Sequence, residues 1–432
     1  MSESMPSRRG FLRCLAAAGV TAPLLARAER IEASLNQRGL RSPFLPDHPE
    51  ALRALRAQYL LSDDLTYLNH ASIGTVPRAV HEAHTAYLEL CESHPSLYVW
   101  GSVWREVLED TRSSAAQLLG CRADDVAITH NTTEGFNVLA HGLPLAPGDE
   151  VLFSSLNHPG ASVAWRALAE RRGFTVRTFD FPVDRSSEMT VDEVVALHAA
   201  QVGPATRALV VPHVDNMIGM THPLPELAVA VRARGVRWVL VDGAQSVGMI
   251  PVDLGTAGVD AYAASPHKWV QAPKGLGLFW ASAALQSELP RMWFRTPGAG
   301  IESTARKYED YSTRAWPAVV ALGDALAFQA SIGTAEKARR YAALWSRLQR
   351  RVSDEPGLTW RSPVEPRLRS VIMAVEVGGA HAPELGSRLL SEHGVVLRAF
   401  GTPLNTLRVS PNLSTSDEEL DRFLDVIAAE AH

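Results

Sequence analysis

The chain has 432 residues, of which 46% are hydrophobic and 21% charged, with a formal charge of −5. That is enough for two domains of about 100–200 residues each. The mild acidity without a long basic run argues against a nucleic-acid partner, and no run of 18 apolar residues is present to span a membrane.

In chain order, the first 30 residues differ from the rest. Ser7-Arg8-Arg9-Gly10-Phe11-Leu12-Arg13 resembles a twin-arginine export motif. An apolar stretch follows to Leu25, and Ala26-Arg27-Ala28 has the small-x-small pattern of a cleavage site. The expectation is a signal over residues 1–28, the twin-arginine translocase as partner during export, and a periplasmic or exported mature chain. Residues 29–63 read as an N-terminal arm. Cys14 lies within the expected signal, leaving Cys91 and Cys121, whose pairing the spacing leaves open. His81 and His84 sit three apart on a helical stretch with no third ligand in view. They read as a polar helix face, and no metal is expected.

From Asp64 onward short apolar runs alternate with amphipathic stretches. Val126–Thr129, Glu150–Ser154, Thr175–Phe179, Ala208–Pro212, Trp238–Val241 and Ala261–Ala264 are the expected strands. Thr133–His141 and Leu224–Arg234 are among the helices expected between them. Near-continuous apolar strands alternating with helices predict a mainly parallel, doubly wound α/β sheet. A long helix over Trp316–Gly333 leads into strands at Val371–Val377, Val395–Arg398 and Thr406–Val409, with helices at Pro383–His393 and Ser416–Ala429. The resulting division is a large domain over 64–315 and a smaller α+β domain over 316–432.

Polar clusters follow five of these strands: HNTTEG, SLNHPG, HVDN, DGAQ and SPHK. In open α/β sheets ligands bind at the carboxyl ends of the strands. Asn131-Thr132-Thr133 opens a helix and offers N–H groups, hydroxyls and a positive dipole end to an anion, although simple capping has the same appearance. Asp242 ends an apolar run, where a carboxylate needs a cation or donors. Gln245 can donate to an oxygen nearby. Lys268, again just beyond a strand, can act as a nucleophilic amine if its pKa is lowered. Taken singly these are a cap, a turn aspartate and a surface lysine. Taken together they describe a pyridoxal phosphate site: phosphate cradle, ring-nitrogen partner, oxygen donor and covalent lysine.

With those motifs in order, the chain resembles the class V aminotransferase family of fold-type I pyridoxal phosphate enzymes, over roughly residues 64–430, and within it the isopenicillin N epimerase-like subgroup. The resemblance implies a mainly parallel seven-stranded large domain with a small α+β C-terminal domain. It implies pyridoxal 5'-phosphate as cofactor. Lys268 in SPHKWVQAPKGLG would hold the cofactor covalently, with Ser265 and His267 donating to phosphate beside Thr132 and Thr133. Asp242 would hold the ring nitrogen protonated and Gln245 would bond the phenolic oxygen. Asn216 would lie near that oxygen and the substrate carboxylate, and His158 would stack on the ring. In NHPGASVAW, Asn157 stands where the family has an acid. Arg408 in LRVSPNLST would pair with the substrate carboxylate. Thr313 would reach the partner's phosphate in a homodimer, although Ser312 stands where the family has Gly. Arg314 and, in YLNHASIG, Asn69 and His70 are further candidate substrate contacts.

The expected substrate is an amino acid or peptide-like metabolite carrying a carboxylate, and the family resemblance taken with the export signal implies tailoring of a secreted metabolite or siderophore. Lys268, Asp242 and His158 are the expected catalytic residues. Aminotransferase-type chemistry is the first reading. Epimerisation and C–S cleavage are the alternatives, and a catalytically silent cofactor-binding protein is less in keeping with the presence of Asp242, Lys268 and Arg408. A desulfurase is disfavoured, because no cysteine follows Cys121.

Overall fold

The order in which the strands hydrogen-bond determines where the polar clusters meet. A computed structural model describes residues 49–99, 104–295 and 301–431. The expected signal over 1–28 and the arm up to residue 48 lie outside the described residues. The rest of the arm contains a helix, Pro49–Arg56.

A short strand, β1 (Thr66–Tyr67), precedes the larger sheet. That sheet comprises β2 (Val126–Thr129), β3 (Glu150–Ser154), β4 (Thr175–Phe179), β5 (Thr206–Pro212), β6 (Trp238–Asp242), β7 (Ala261–Ala264) and β8 (Gly277–Ala281), in the order β2-β8-β7-β6-β5-β3-β4. All pairings are parallel except the two made by β8. The central strands β6 and β7 are buried along their whole length, which is why their sequences are apolar on both faces. β4, at the edge, is exposed or half-buried up to its last residue, the buried Phe179, and its Arg177 pairs with Glu150 at 2.8 Å. β8 is an addition to the expected strands. Gly277 lets it pass the helix Thr132–Gly142, since a Cβ there would lie 2.5 Å from the Asn131 nitrogen.

The helix Trp316–Ile332 is buried around most of its circumference and packs on Arg78–Ser93 and Arg105–Leu119. A second helix, Thr334–Asp354, follows it, with a buried stripe of Tyr341, Leu344, Trp345, Leu348 and Val352. Among the described residues, no single helix is long and apolar enough to cross a membrane. The smaller sheet is antiparallel, built of β9 (Leu358–Trp360), β10 (Met373–Val377), β12 (Arg398–Phe400) and β13 (Thr406–Val409) in the order β12-β13-β10-β9. The strand expected over Val395–Arg398 divides in two: its first part, β11 (Val395–Val396), leaves this sheet and pairs in parallel with β1. Asn69 bridges to Ser410 in the same way. Residues 66–69, which the sequence groups with the large domain, are thus tied to the C-terminal strands, and the segment after them runs over the ends of the large sheet.

Candidate active site

The segments following β2, β3, β5, β6 and β7 converge on a cavity of about 610 Å³, closed by residues 71–72 and by side chains of β12 and β13. Thr132, Thr133, His158, Asn216, Asp242, Gln245, Ser265, His267, Lys268 and Arg408 all line it.

Asp242 is the last residue of β6 and is buried. Its Oδ1 accepts from the Ala244 N–H at 2.9 Å. Burial pushes its carboxyl above the usual range, against the pull of that bond and of the Lys268 and His158 charges. Gly243 allows β6 to end against Tyr262, whose Cε1 would lie 1.9 Å from a Cβ at position 243. Lys268 is half-buried, and burial lowers its amine to about 8, offset by Asp242 and assisted by the charge of Arg408. Among the described residues its Nζ has no hydrogen-bond partner. The Gln245 amide is oriented from both ends: Oε1 accepts from the Trp269 indole N–H at 2.9 Å, and Nε2 donates to the Ala71 carbonyl at 2.8 Å. One N–H of that amide is left over to donate.

At the other end, Asn131 caps the helix Thr132–Gly142 by accepting from the Glu134 N–H. The Thr132 N–H donates to Ser265 Oγ at 3.0 Å, and the two hydroxyls lie 2.8 Å apart. Gly160 keeps the facing wall open: a Cβ there would come 2.9 Å from Thr133 Oγ1. His158 caps the next helix through Nδ1, which accepts from the Gly160 N–H at 3.0 Å. Nε2 therefore carries the proton in the neutral ring, and burial lowers the imidazole's pKa. Burial also lowers His267, to about 4. Asn157 spends its amide on Ser154 and the Val210 carbonyl, holding the loop. Asp215 does the same for its turn, accepting from the N–H groups of Met217, Ile218 and Met220.

Arg408, on β13, is 2% exposed. Its Nη1 donates to the Asn216 carbonyl at 2.9 Å, and its Nη2 donates to Asn69 Oδ1 at 2.7 Å and to Ser72 Oγ. Its Nε is buried without a partner. No carboxylate pairs with it among the described residues, and burial lowers its pKa to about 10. A buried guanidinium held only by neutral oxygens is a receptor for an anion. These features fit pyridoxal phosphate and an amino-acid carboxylate. There is an amine free to form a covalent bond, an aspartate for a ring cation, an oriented amide for an oxygen, a helix N-terminus with hydroxyls for phosphate, and an unpaired arginine.

Other expected contacts differ. His70 is 1% exposed, bonds Thr75 Oγ1 at 3.0 Å and does not line the cavity, because the turn at 69–73 directs it into the core. Asn69 lies behind Arg408 and orients it. Arg314 donates to the Ile128 carbonyl at 2.6 Å and stacks near Tyr311 and Trp316, away from the cavity. Thr313 is exposed and outside its own chain's cavity. Ser72, Met217, Arg398 and Phe400 line the site without having been singled out in the sequence. For Arg398 and Phe400 the available signal is the two-residue spacing that places both on one face of a strand. Cys91 and Cys121 are free thiols that do not line the cavity, and burial pushes both up to about 12. No cluster of three or more metal-ligating side chains occurs among the described residues.

The family model for class-V aminotransferases matches residues 66–423. An isopenicillin N epimerase from Streptomyces clavuligerus is 31% identical over 392 residues, 87% of this chain and 97% of its own length. A probable cysteine desulfurase from Pseudomonas aeruginosa is 31% identical over 407 residues, 89% of this chain and 96% of its own. Among solved structures, a cystine C–S lyase in complex with cysteine persulfide has a TM-score of 0.76 at 26% identity, over 85% of this chain and 98% of that one. A mutant of that lyase, with glycine covalently linked to its PLP cofactor, gives 0.77 at 26% identity over 86% and 98%.

Proposed function

Because this chain belongs to the class-V aminotransferase family of pyridoxal 5'-phosphate enzymes, we propose that it transfers the amino group of a carboxylate-bearing amino acid or peptide-like metabolite. Bound at Lys268, the cofactor supplies an electron sink for the pair left when a proton leaves the α-carbon. Asp242 keeps the ring nitrogen protonated, and Gln245 and Asn216 hold the phenolic oxygen. Thr132, Thr133, Ser265 and His267 hold the phosphate. Arg408, preset by Asn69, Ser72 and the Asn216 carbonyl, fixes the substrate carboxylate and so aims the α-carbon. Once the substrate amine has displaced it from the cofactor, Lys268 Nζ is a free amine with a pKa near 8, placed to take the proton from that carbon.

The observation that favours amino-group transfer is the supply of one unencumbered base. Lys268 Nζ has no partner among the described residues, whereas His158 Nδ1 is tied to the Gly160 N–H and His267 to the Ser72 backbone. Epimerisation is the second reading, supported by the 31% identity to an isopenicillin N epimerase. It needs a second acid, for which His158 Nε2 is the candidate. The test is to mix the cofactor-loaded protein with amines in the absence of any keto acid. Conversion of the cofactor to its amine form supports transfer. Exchange of the α-proton in heavy water with an inverted amine, and no conversion, replaces it with epimerisation. Release of a thiol fragment replaces it with C–S cleavage.

The twin-arginine-like segment supports a periplasmic setting and a substrate that is itself secreted, such as a siderophore or other secondary metabolite. Retention of the chain in the cytoplasm on Arg8→Lys with Arg9→Lys is the expected result. The exposure of Thr313 supports a homodimer in which it serves the partner's site.

A further inference from the structure

β12 and β13 pair antiparallel, and in that register Arg398 stands directly opposite Arg408. Directly opposed residues share a face with Cβ atoms about 5 Å apart, and like charges in that position destabilise a sheet. The Arg398 charge is, after burial, one of the causes that lower Arg408, and the Asp215 charge acts the other way. Among the described residues no carboxylate pairs with either guanidinium. Both approach the ring of Phe400, Arg398 at 5.7 Å from its centroid and Arg408 at 5.9 Å. Arg408 is buried and faces Asn69, Ser72 and Asn216. Arg398 is exposed, and both line the same cavity. The candidate phosphate cradle, Thr132, Thr133 and Ser265, comes from other segments of the lining, those that follow β2 and β7.

We infer that Arg398 binds a second carboxylate of the substrate, so that the preferred amine is a dicarboxylic one whose distal carboxylate lies between Arg398 and the edge of Phe400. This rests on the proposed function, in which Arg408 holds the carboxylate next to the reacting amine. A single carboxylate on Arg408 leaves the opposed Arg398 charge unanswered, and a second one removes the repulsion between the strands. Phe400 supports the arrangement, with its ring face toward cations and its apolar edge toward the methylene spacer.

The experiment uses the cofactor-loaded full chain and matched pairs differing in one distal group: glutamate and glutamine, aspartate and asparagine, 2-aminoadipate and norleucine, each as both enantiomers. The expected result is a preference in kcat/KM of about tenfold or more for the carboxylate member, carried by KM. Arg398→Gln should collapse that ratio toward one, and Arg398→Lys should restore part of it. The side chain is exposed, so both variants are expected to fold and retain the cofactor absorbance. In parallel, binding of unreactive glutarate and butyrate is followed by the change in that absorbance. Tighter binding of glutarate in the wild type, lost in Arg398→Gln, supports the inference even if none of the amines reacts. An inert amine panel would count against the proposed function alone. Equal binding of glutarate and butyrate overturns the inference. So does an Arg398→Gln variant that weakens both members of each pair equally, which would mean both arginines clamp one carboxylate.

Discussion

Gly74 packs on the backbone of Lys268: a Cβ at position 74 would lie 2.0 Å from the Lys268 carbonyl oxygen and 2.4 Å from that of His267. The chain that β1 ties to the C-terminal strands therefore rests on the residue proposed to hold the cofactor. Lys274 fastens the contact by donating from Nζ to the Gly74 carbonyl at 3.0 Å. Gly74→Ala forces two backbone segments apart. The expected cost is roughly 1–3 kcal/mol in urea unfolding, as for other overpacked sites. Faster loss of cofactor on dialysis should accompany it. Unchanged cofactor retention would mean that this contact does not position Lys268.

Lys268 should titrate at about 8 in the cofactor-free protein. Below that pH the amine is protonated and unreactive; above it the neutral form attacks aldehydes. Labelling with a small aldehyde, reductive trapping and peptide mass analysis should give a midpoint near 8. Asp242→Asn removes the charge that favours the ammonium and should move the midpoint down. The sign for stability follows from the same shift. An unfolded lysine keeps its proton to about 10.4, so at this group the unfolded chain holds more proton over that window, and the Lys268 contribution to stability rises with pH across it. Lys337, also lowered to about 8 by burial, contributes with the same sign, so labelling at Lys268 is needed to isolate it.

The site was legible where chemistry follows directly on a strand. Asp242 and Lys268 stand at or just beyond the ends of apolar runs, and a parallel sheet gathers such ends by itself. β8 was hidden because the glycines of KGLGLFWA read as a turn behind the lysine. The helix Thr334–Asp354 carries a clear apolar stripe that its many arginines obscure. Arg398 could not be placed from the sequence, since its position opposite Arg408 depends on the pairing register across a loop. His70 and Arg314 show the converse: lying beside a motif does not decide which way a side chain faces.

Trp269 holds Gln245 by donating to its Oε1, which fixes the amide so that nitrogen faces the site. Trp269→Phe keeps most of the packing against Tyr341, a ring contact at 5.9 Å, and removes the donor. A buried acceptor without its partner costs roughly 1–3 kcal/mol unless the amide turns over. If it turns over, an oxygen replaces the N–H proposed to meet the phenolic oxygen of the cofactor. A shift of the visible cofactor band with weaker retention is the expected outcome. An unchanged band would show that Gln245 keeps its orientation without the indole.

Cys91 and Cys121 are outside the cavity, so the double variant Cys91→Ala with Cys121→Ala should react with amines at the wild-type rate. The wild type should release no sulfide from cysteine with a reducing agent present. Sulfide release abolished by either substitution would restore the desulfurase reading.

His198 and His222 meet edge to face, 5.2 Å between ring centroids, beside Phe179 and Phe181. His198 Nδ1 bonds the Val194 carbonyl at 2.9 Å, while its Nε2 is buried without a partner. Burial lowers His198 to about 4 and His222 further still. Both rings are neutral in the folded chain, and the unfolded chain takes up their protons first. Stability is therefore fully present above the ordinary imidazole pKa of about 6.5 and falls as the pH drops from there toward 4. His198 alone contributes on the order of 3 kcal/mol across that window. Asp215, pushed up to about 6 by burial, acts with the opposite sign, so the comparison must be between variants. His198→Phe suits the aromatic surroundings and removes one titrating group. Its unfolding midpoint in urea should depend less steeply on pH between 6.5 and 4 than that of the wild type, and parallel pH profiles would show that the pair is not what limits acid stability.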